Sequence, residues 1–399
     1  MKRLAERSLA HIEKIAWIKP IEGADNIELI GVLGWVLIAK KGEFKVNDFC
    51  VFFEIDSKLP EKDWSEFMRP KHFKVKTMKL GKFNVISQGL ALPLSAFDSE
   101  GCIFPALNDG LPVEGTDVTE ILGVTYSVQE DNIRKSKNGD PNAKYNSMAA
   151  RHKELFKKKP IRWLMRHTWG KKLLFLFFGR KGDKPKAFPD WIHKTDETRI
   201  ENAPFYLEST NPWVKTEKID GTSSTYAIDF LNKKVKKGDF IVCSRNVRQR
   251  DEDQACYHEC GNVYWEMADK YNIETALRDI ANKHNANRVV LQGETYGEGL
   301  QGNPYKINER RFAAFNLIID GNRLGSVEAK DILKEYGISF VPIIDTNYYL
   351  PKDMETFKLE ADGKSLVADV SREGFVYRSQ DGTQSFKNVS RQFLLKHNG

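Results

Sequence analysis

Short apolar runs closed by glycine, proline or asparagine fill the first 125 residues. Residues 26–32, 35–39, 47–55, 84–86 and 89–94 each read as a strand, and their turn-punctuated spacing predicts a small β-barrel. From residue 189 onward strands and helices mix. Residues 223–230 and 240–244 are an expected β pair, and 288–294 and 312–319 are apolar enough to be buried strands. Trp265, Met267, Tyr271, Ile273, Leu277 and Ile280 recur at helical spacing, which predicts one amphipathic helix over 264–283. A second helix is expected over 328–336. The pattern as a whole is α+β.

Between these halves the sequence is polar and then strongly basic. The expected organisation is a barrel over 1–125, a basic and partly helical linker or insertion over 126–186, and a mixed domain over 187–399. A chain of 399 residues suits two or three domains with a sizeable core. The net charge is +7, yet residues 151–186 hold thirteen Lys or Arg against two acids, which is 13 − 2 = +11. Everything else therefore sums to 7 − 11 = −4. Aromatic residues are interleaved with those cations. Such a mixture suits a phosphate backbone and its bases, or equally a solvated helix docked through its aromatic rings.

The longest apolar run beside a basic flank, 173–178, is too short to span a bilayer, and residues 1–7 have no apolar signal core. An intracellular, cytoplasmic protein is expected. Five cysteines scattered along the chain do not describe a disulfide framework. Cys256-Tyr257-His258-Glu259-Cys260 lacks the paired spacing of a structural zinc site, so thiols on a helix are expected there.

The chemistry concentrates at Thr216-Glu217-Lys218-Ile219-Asp220-Gly221. A lysine attacks only when uncharged, because an ammonium has no lone pair. A dry pocket or a nearby cation favours the neutral amine, and a carboxylate two residues on can position a divalent metal. A neighbouring glycine lets a phosphate or ribose approach the backbone. Alone, this pattern is equally that of a solvated Lys-Asp turn. Downstream, however, come Cys243-Ser244-Arg245-Asn246, Leu291-Gln292-Gly293-Glu294, Phe312-Ala313-Ala314-Phe315-Asn316, Arg372-Glu373-Gly374-Phe375 and Ser385-Phe386-Lys387.

This ordered series resembles the motifs of the covalent nucleotidyltransferases, which include DNA ligases, RNA ligases and mRNA capping enzymes. Lys194-Thr195-Asp196-Glu197-Thr198-Arg199 ahead of it, with Ser-Phe-Lys near the C-terminus, is similar to the ATP-dependent RNA ligases. The N-terminal wording, Gly23-Ala24-Asp25-Asn26-Ile27-Glu28 and Ser87-Gln88-Gly89-Leu90, resembles OB-fold modules, which suggests the Naegleria-type branch. The resemblance implies an OB-like barrel followed by a nucleotidyltransferase domain of antiparallel sheets with flanking helices. It implies an enzyme that uses ATP and Mg²⁺ (or Mn²⁺) to join RNA 3′-OH and 5′-phosphate ends through a lysyl-AMP intermediate. RNA, with a nicked duplex as one form, would be the partner of a monomer.

The same resemblance distributes roles among residues. Lys218 would be the nucleophile and Lys387 would neutralise the α-phosphate. Glu217, Arg245, Glu294 and Phe315 would bind nucleotide, Glu294 at the ribose and Phe315 against adenine. Asp220 and Glu373 would hold the waters of the metal. One departure stands out. Val389 occupies a position where related ligases often carry a second lysine, so Arg391 or Lys396 would have to supply that charge. A DNA nick ligase or a capping guanylyltransferase usually carries its OB domain after the catalytic domain, and here the chain ends about a dozen residues beyond Lys387. A non-catalytic RNA-binding protein is opposed by the intact Lys218, Asp220, Glu294, Glu373 and Lys387. The barrel is expected to act in the first step, on the leaving pyrophosphate, and the chain from about residue 186 is expected to fold without it.

Overall fold

The N-terminal apolar runs pair as five antiparallel strands in the order β3-β2-β1-β4-β8. These are β1 (Ala10–Pro20), β2 (Ile27–Val32), β3 (Trp35–Lys40), β4 (Phe49–Phe53) and β8 (Leu90–Pro93), with the two-residue β5 (Ser57–Lys58) between β4 and the hairpin β6 (Thr77–Leu80) and β7 (Val85–Gln88). In the computed structural model, residues 8–97, 111–127, 145, 149, 153–178, 186–232, 235, 237–251, 254, 257 and 261–397 are described. Alternation decides which side chains point inward. On β3, Trp35, Leu37 and Ala39 are buried while Val36 and Ile38 are only partly so. The Ile38 amide donates to Ser87 Oγ at 3.1 Å, tying β3 to β7.

The central strand, β1, has no counterpart in the sequence reading. Its buried face carries His11 and Glu13, polar residues that interrupt the apolar signal, and its register slips at a bulge between Ile15 and Trp17. The Cys256–Cys260 cluster cannot be placed, because Cys256, His258, Glu259 and Cys260 lie outside the described residues.

Among its described residues, the basic region includes the helices α1 (Lys153–Phe156), α2 (Lys159–Leu164) and α3 (Thr168–Phe178). Past them lie two sheets. The larger has seven strands in the order β10-β15-β14-β13-β16-β17-β18. It is built from β10 (Lys186–Ala187), β13 (Thr222–Asp229), β14 (Asp239–Ser244), β15 (Val247–Arg248), β16 (Arg288–Gly297), β17 (Arg310–Ile319) and β18 (Asn322–Arg323). Tyr226, Val242, Leu291, Phe312 and Leu317 on one face meet Trp265, Leu277, Ile280 and Leu333 of the covering helices.

The expected single helix over 264–283 is two, α4 (Val263–Lys270) and α5 (Ile273–Lys283). Asn272, in the left-handed region at φ 47°, breaks it. The short amide side chain tolerates that conformation, and the turn lets both apolar faces reach the same sheet. The second helix, α6, spans Ser326–Lys334.

The smaller sheet runs β11-β21-β20-β12-β19. Its strands are β11 (Thr198–Arg199), β12 (Trp213–Lys218), β19 (Ile343–Tyr348), β20 (Gly374–Ser379) and β21 (Ser385–Val389), flanked by α7 (Met354–Leu359) and α8 (Arg391–His397). The turn 219–221 links β12 to β13 and so stitches the two sheets together.

The N-terminal unit is fastened to this sheet. Val389 and Leu394 share a core cluster with Ile15, Trp35, Leu37 and Phe52. The Gly34 amide donates to the Glu201 carbonyl at 2.8 Å, and Trp35 Nε1 donates to Asn202 Oδ1 at 2.5 Å. Lys358, fully buried, donates to Gln88 Oε1 at 2.8 Å and pairs with Glu201. A chain starting near residue 186 would expose this apolar surface and lose the Gln88 contact of Lys358, while keeping Lys358 paired with Glu201.

Candidate active site

The turn between β12 and β13 is pinned from below. Ile219 is buried among Tyr296, Tyr305, Ala313 and Val341, and the Asp220 amide donates to the Tyr305 hydroxyl at 2.7 Å. Gly221 is required by closeness rather than by turn geometry, since a Cβ there would stand 2.3 Å from the Thr295 carbonyl oxygen. Antiparallel pairing sets Lys218 opposite Gly374 and Ser223 opposite Glu294, which brings Glu373 and Glu294 to the lysine from two different sheets. Gly374 at φ 153° has its own constraint, a Cβ there lying 2.2 Å from the Asn388 carbonyl.

A pocket of about 440 Å³ opens over this turn, lined by Lys218, Asp220, Arg245, Glu294, Phe315, Glu373 and Lys387, among others. The structure thus gathers all the sequence-predicted site residues at one cavity. A larger cleft of about 1000 Å³ runs between Trp17 and Gly34 on one side and Met354 and Leu395 on the other, and contains none of them.

Lys218 Nζ donates to Glu373 Oε1 at 2.6 Å. Burial alone would lower its pKa, but the charges of Glu373 and Glu294 outweigh burial and raise it. Burial and the Glu373 charge push Asp220 up to about 7. Burial pushes Glu294 up to about 8, with Glu373 and Asp220 adding to the shift and Lys218 opposing it. Three carboxylates thus crowd one amine, and the second oxygen of Glu373 is buried without a hydrogen-bond partner. Such a surplus of hard oxygen donors suits a divalent cation. Among the described residues no three His, Cys, Asp or Glu side chains stand close enough to hold a metal directly, so the fit is to a hydrated ion held through its waters.

Across the pocket, Asp196 bridges two cations. Its carboxylate takes Lys387 Nζ at 2.8 Å and Arg245 at 3.1 Å. Arg378, buried, pairs with Glu197 at 3.2 Å and stands 5.8 Å from the Phe315 ring centre. Phe315 owes its orientation to a bulge. Gln292 pairs with Asn316 and Gly293 with Ala314, leaving Phe315 the extra residue, re-aimed into the cavity.

Glu217 reaches the cavity wall, but its carboxylate accepts from the Leu366 amide at 2.8 Å and from the Ser365 hydroxyl. Sequence reasoning assigned no roles to Asp196, Arg378 or Tyr305. Asp196 sat within a motif already noted, whereas nothing local in the sequence marks Tyr305. From the N-terminal side, Asp56 and Tyr126 also line the pocket, Asp56 lying 3.8 Å from Arg199.

The RNA ligase family pattern matches residues 211–396, and an OB-fold domain pattern matches residues 9–94. The structure resembles that of a Naegleria gruberi RNA ligase mutant with AMP and manganese, at 28% identity and a TM-score of 0.72, with 98% of this chain and 99% of that one covered. Residues 211–396 thus carry an RNA ligase domain. The Naegleria gruberi ligase with pyrophosphate is similar to this ligase at 29% identity, with the same TM-score of 0.72 and the same coverage, 98% and 99%. A further mutant of that enzyme with ATP and manganese matches at 28% identity and a TM-score of 0.72, again over 98% and 99% of the two chains. No curated protein matches the sequence. Among the described residues of the ligase, no helix is long and apolar enough to cross a membrane.

Proposed function

We propose that this RNA ligase joins RNA 3′-OH and 5′-phosphate ends with ATP, through an AMP carried on Lys218. The observation that supports this best is the pocket at the end of β12. It holds one amine among Asp220, Glu294 and Glu373, and faces Arg245 and Lys387 across a space for a nucleotide.

Lys218 Nζ, deprotonated, attacks the α-phosphorus of ATP. An N–P bond forms, the bond to the bridging oxygen breaks, and pyrophosphate leaves. An oxygen of the RNA 5′-phosphate then attacks the same phosphorus, and Lys218 recovers a proton as the N–P bond breaks. Finally the RNA 3′-OH attacks the adenylated 5′-phosphate, and AMP departs. Each step is a displacement at phosphorus, so the protein acts mainly by positioning groups and offsetting charge.

Lys387 and Arg245 release Asp196 to meet phosphate oxygens, because a polyanion outcompetes a single carboxylate. Phe315 offers a ring face to adenine, and Glu294 accepts from a ribose hydroxyl. Glu217 secures the 365–366 loop and contributes to the nucleotide pocket by holding that wall. Asp220 and Glu373 would hold the waters of Mg²⁺ or Mn²⁺. When bound, that ion offsets the carboxylate field that keeps Lys218 protonated and favours its neutral form.

Intact mass after incubation with ATP and Mg²⁺ tests the reading. One AMP equivalent should appear, none from GTP, and the label should leave the protein when 5′-phosphorylated RNA is added. Absence of the adduct, or an adduct that RNA does not discharge, would overturn it.

A further inference from the structure

Residues 155–178 contain seven Lys or Arg and no Asp or Glu. Helices α2 and α3 bury one face of this stretch, where Phe156, Leu164 and Leu174 pack together. Their junction is tight. A Cβ at Gly170 would stand 2.2 Å from the Leu164 carbonyl oxygen, so only glycine lets α3 start against the end of α2.

That corner presents three rings outward. Trp163 and Trp169 are 53% and 54% exposed, with centroids 5.9 Å apart and planes at 74°. His167 lies between them, 4.8 Å from Trp163 and nearly parallel to Trp169. Arg162, Arg166 and Lys172, neighbours of the rings in the chain, are exposed. Neither tryptophan belongs to the apolar cluster of Phe156, Leu164 and Leu174.

We propose that this corner is the grip for single-stranded RNA flanking the end to be joined, with bases stacked on Trp163 and Trp169 and phosphates on Arg162, Arg166 and Lys172. Charge decides the occupant. Residues outside 151–186 sum to −4, and the cations of the catalytic pocket pair with carboxylates, Lys218 with Glu373, Lys387 and Arg245 with Asp196, and Arg378 with Glu197. A polyanionic substrate therefore finds its unbalanced positive surface in this segment, beside rings that stack on any base. Leu176 and Phe177 extend an apolar stripe beyond Trp169, which an anionic lipid surface would also engage. The proposal rests on the RNA-joining function, and its test separates the two.

Fluorescence anisotropy of a labelled, 5′-phosphorylated single-stranded RNA is measured over a salt series with full-length protein. One variant carries Arg162→Gln, Arg166→Gln and Lys172→Gln; another carries Trp163→Ala and Trp169→Ala. The charge variant should reduce the slope of log Kd against log salt by about 2, at roughly 0.7 per phosphate contact on a single strand. The tryptophan variant should weaken binding about tenfold or more at every base composition. Both should still take AMP from ATP, which doubles as a check of folding. The charge variant, changed only at exposed positions, decides the matter if the tryptophan variant folds poorly. Unchanged RNA affinity and salt slope would overturn the proposal. So would unchanged RNA binding with lost flotation on phosphatidylserine vesicles, which would mark a membrane surface. Wild-type protein that takes AMP but neither binds nor seals RNA would overturn both the grip and the RNA-joining reading.

Discussion

Lys218 Nζ lies 2.6 Å from one oxygen of Glu373, whose other oxygen is buried with no hydrogen-bond partner. The pair holds the Lys218 amine in its charged, unreactive form. Releasing it requires positive charge on the carboxylate side, and the half-satisfied Glu373 shows where that charge belongs.

Lys218→Ala should eliminate the AMP adduct, since Lys387, the other lysine among the described residues lining the pocket, is held across it by Asp196. Glu373→Gln should still bind ATP but need more Mg²⁺. Intact mass against metal concentration reads both. A Glu373→Gln titration that superimposes on wild type would argue against a metal-water role.

The metal requirement should depend on pH. Asp220, at about 7, takes up a proton as pH falls through that value and would then hold metal waters less well. The Mg²⁺ concentration for half-maximal adduct formation should therefore fall as pH rises from 6 to 9. Each proton displaced contributes at most about tenfold per unit. Asp220→Asn should flatten the lower part of that curve. A wild-type requirement independent of pH would contradict the assignment.

His11 should make the N-terminal domain sensitive to alkali. Burial alone would lower its pKa, but its hydrogen bonds and charge interactions with Glu13 and Glu54 outweigh burial and raise it from 6.5 to about 9. The raised value means that the folded state binds the proton more tightly. The stabilisation is complete below pH 6.5 and disappears as pH rises through about 9, at no more than about 1.4 kcal/mol per unit. Thermal melts of wild type and His11→Gln should converge at pH 9.5 and separate at pH 6. Parallel curves would refute this.

Lys358 and Glu201, both of the C-terminal domain, form a buried pair where that domain meets Gln88 of the N-terminal one. Lys358→Met leaves the Glu201 carboxylate buried beside Arg199 without its closest cation, and should cost about 3–5 kcal/mol. Adding Glu201→Gln should recover part of that loss. Urea melts of the single and double variants would show the recovery, and simple additivity would mean the two groups are not coupled.

The sequence was informative wherever a residue's role depends on its neighbours in the chain. Strands β2, β3, β4, β13, β14, β16 and β17 carry their own apolar runs, and Lys218, Asp220, Glu294, Glu373 and Lys387 stand in local motifs that survive without knowledge of pairing. It was silent where distant segments must meet. The β1 strand is masked by His11 and Glu13, which are polar residues made acceptable inside only by each other and by Glu54 from another strand. The break at Asn272 follows from two helices having to fit one sheet. Asp196 acquires its position because parallel pairing of β11 with β21 brings Lys387 beside it, and Phe315 turns inward because of a bulge in its pairing with β16. Tertiary structure also decided how Lys358 is accommodated in the interior, since Glu201 and Gln88 arrive from distant parts of the chain to bind it. Periodicity and motif order are properties of neighbouring residues. Burial, register and charge compensation are properties of contacts, and those exist only once the chain has folded.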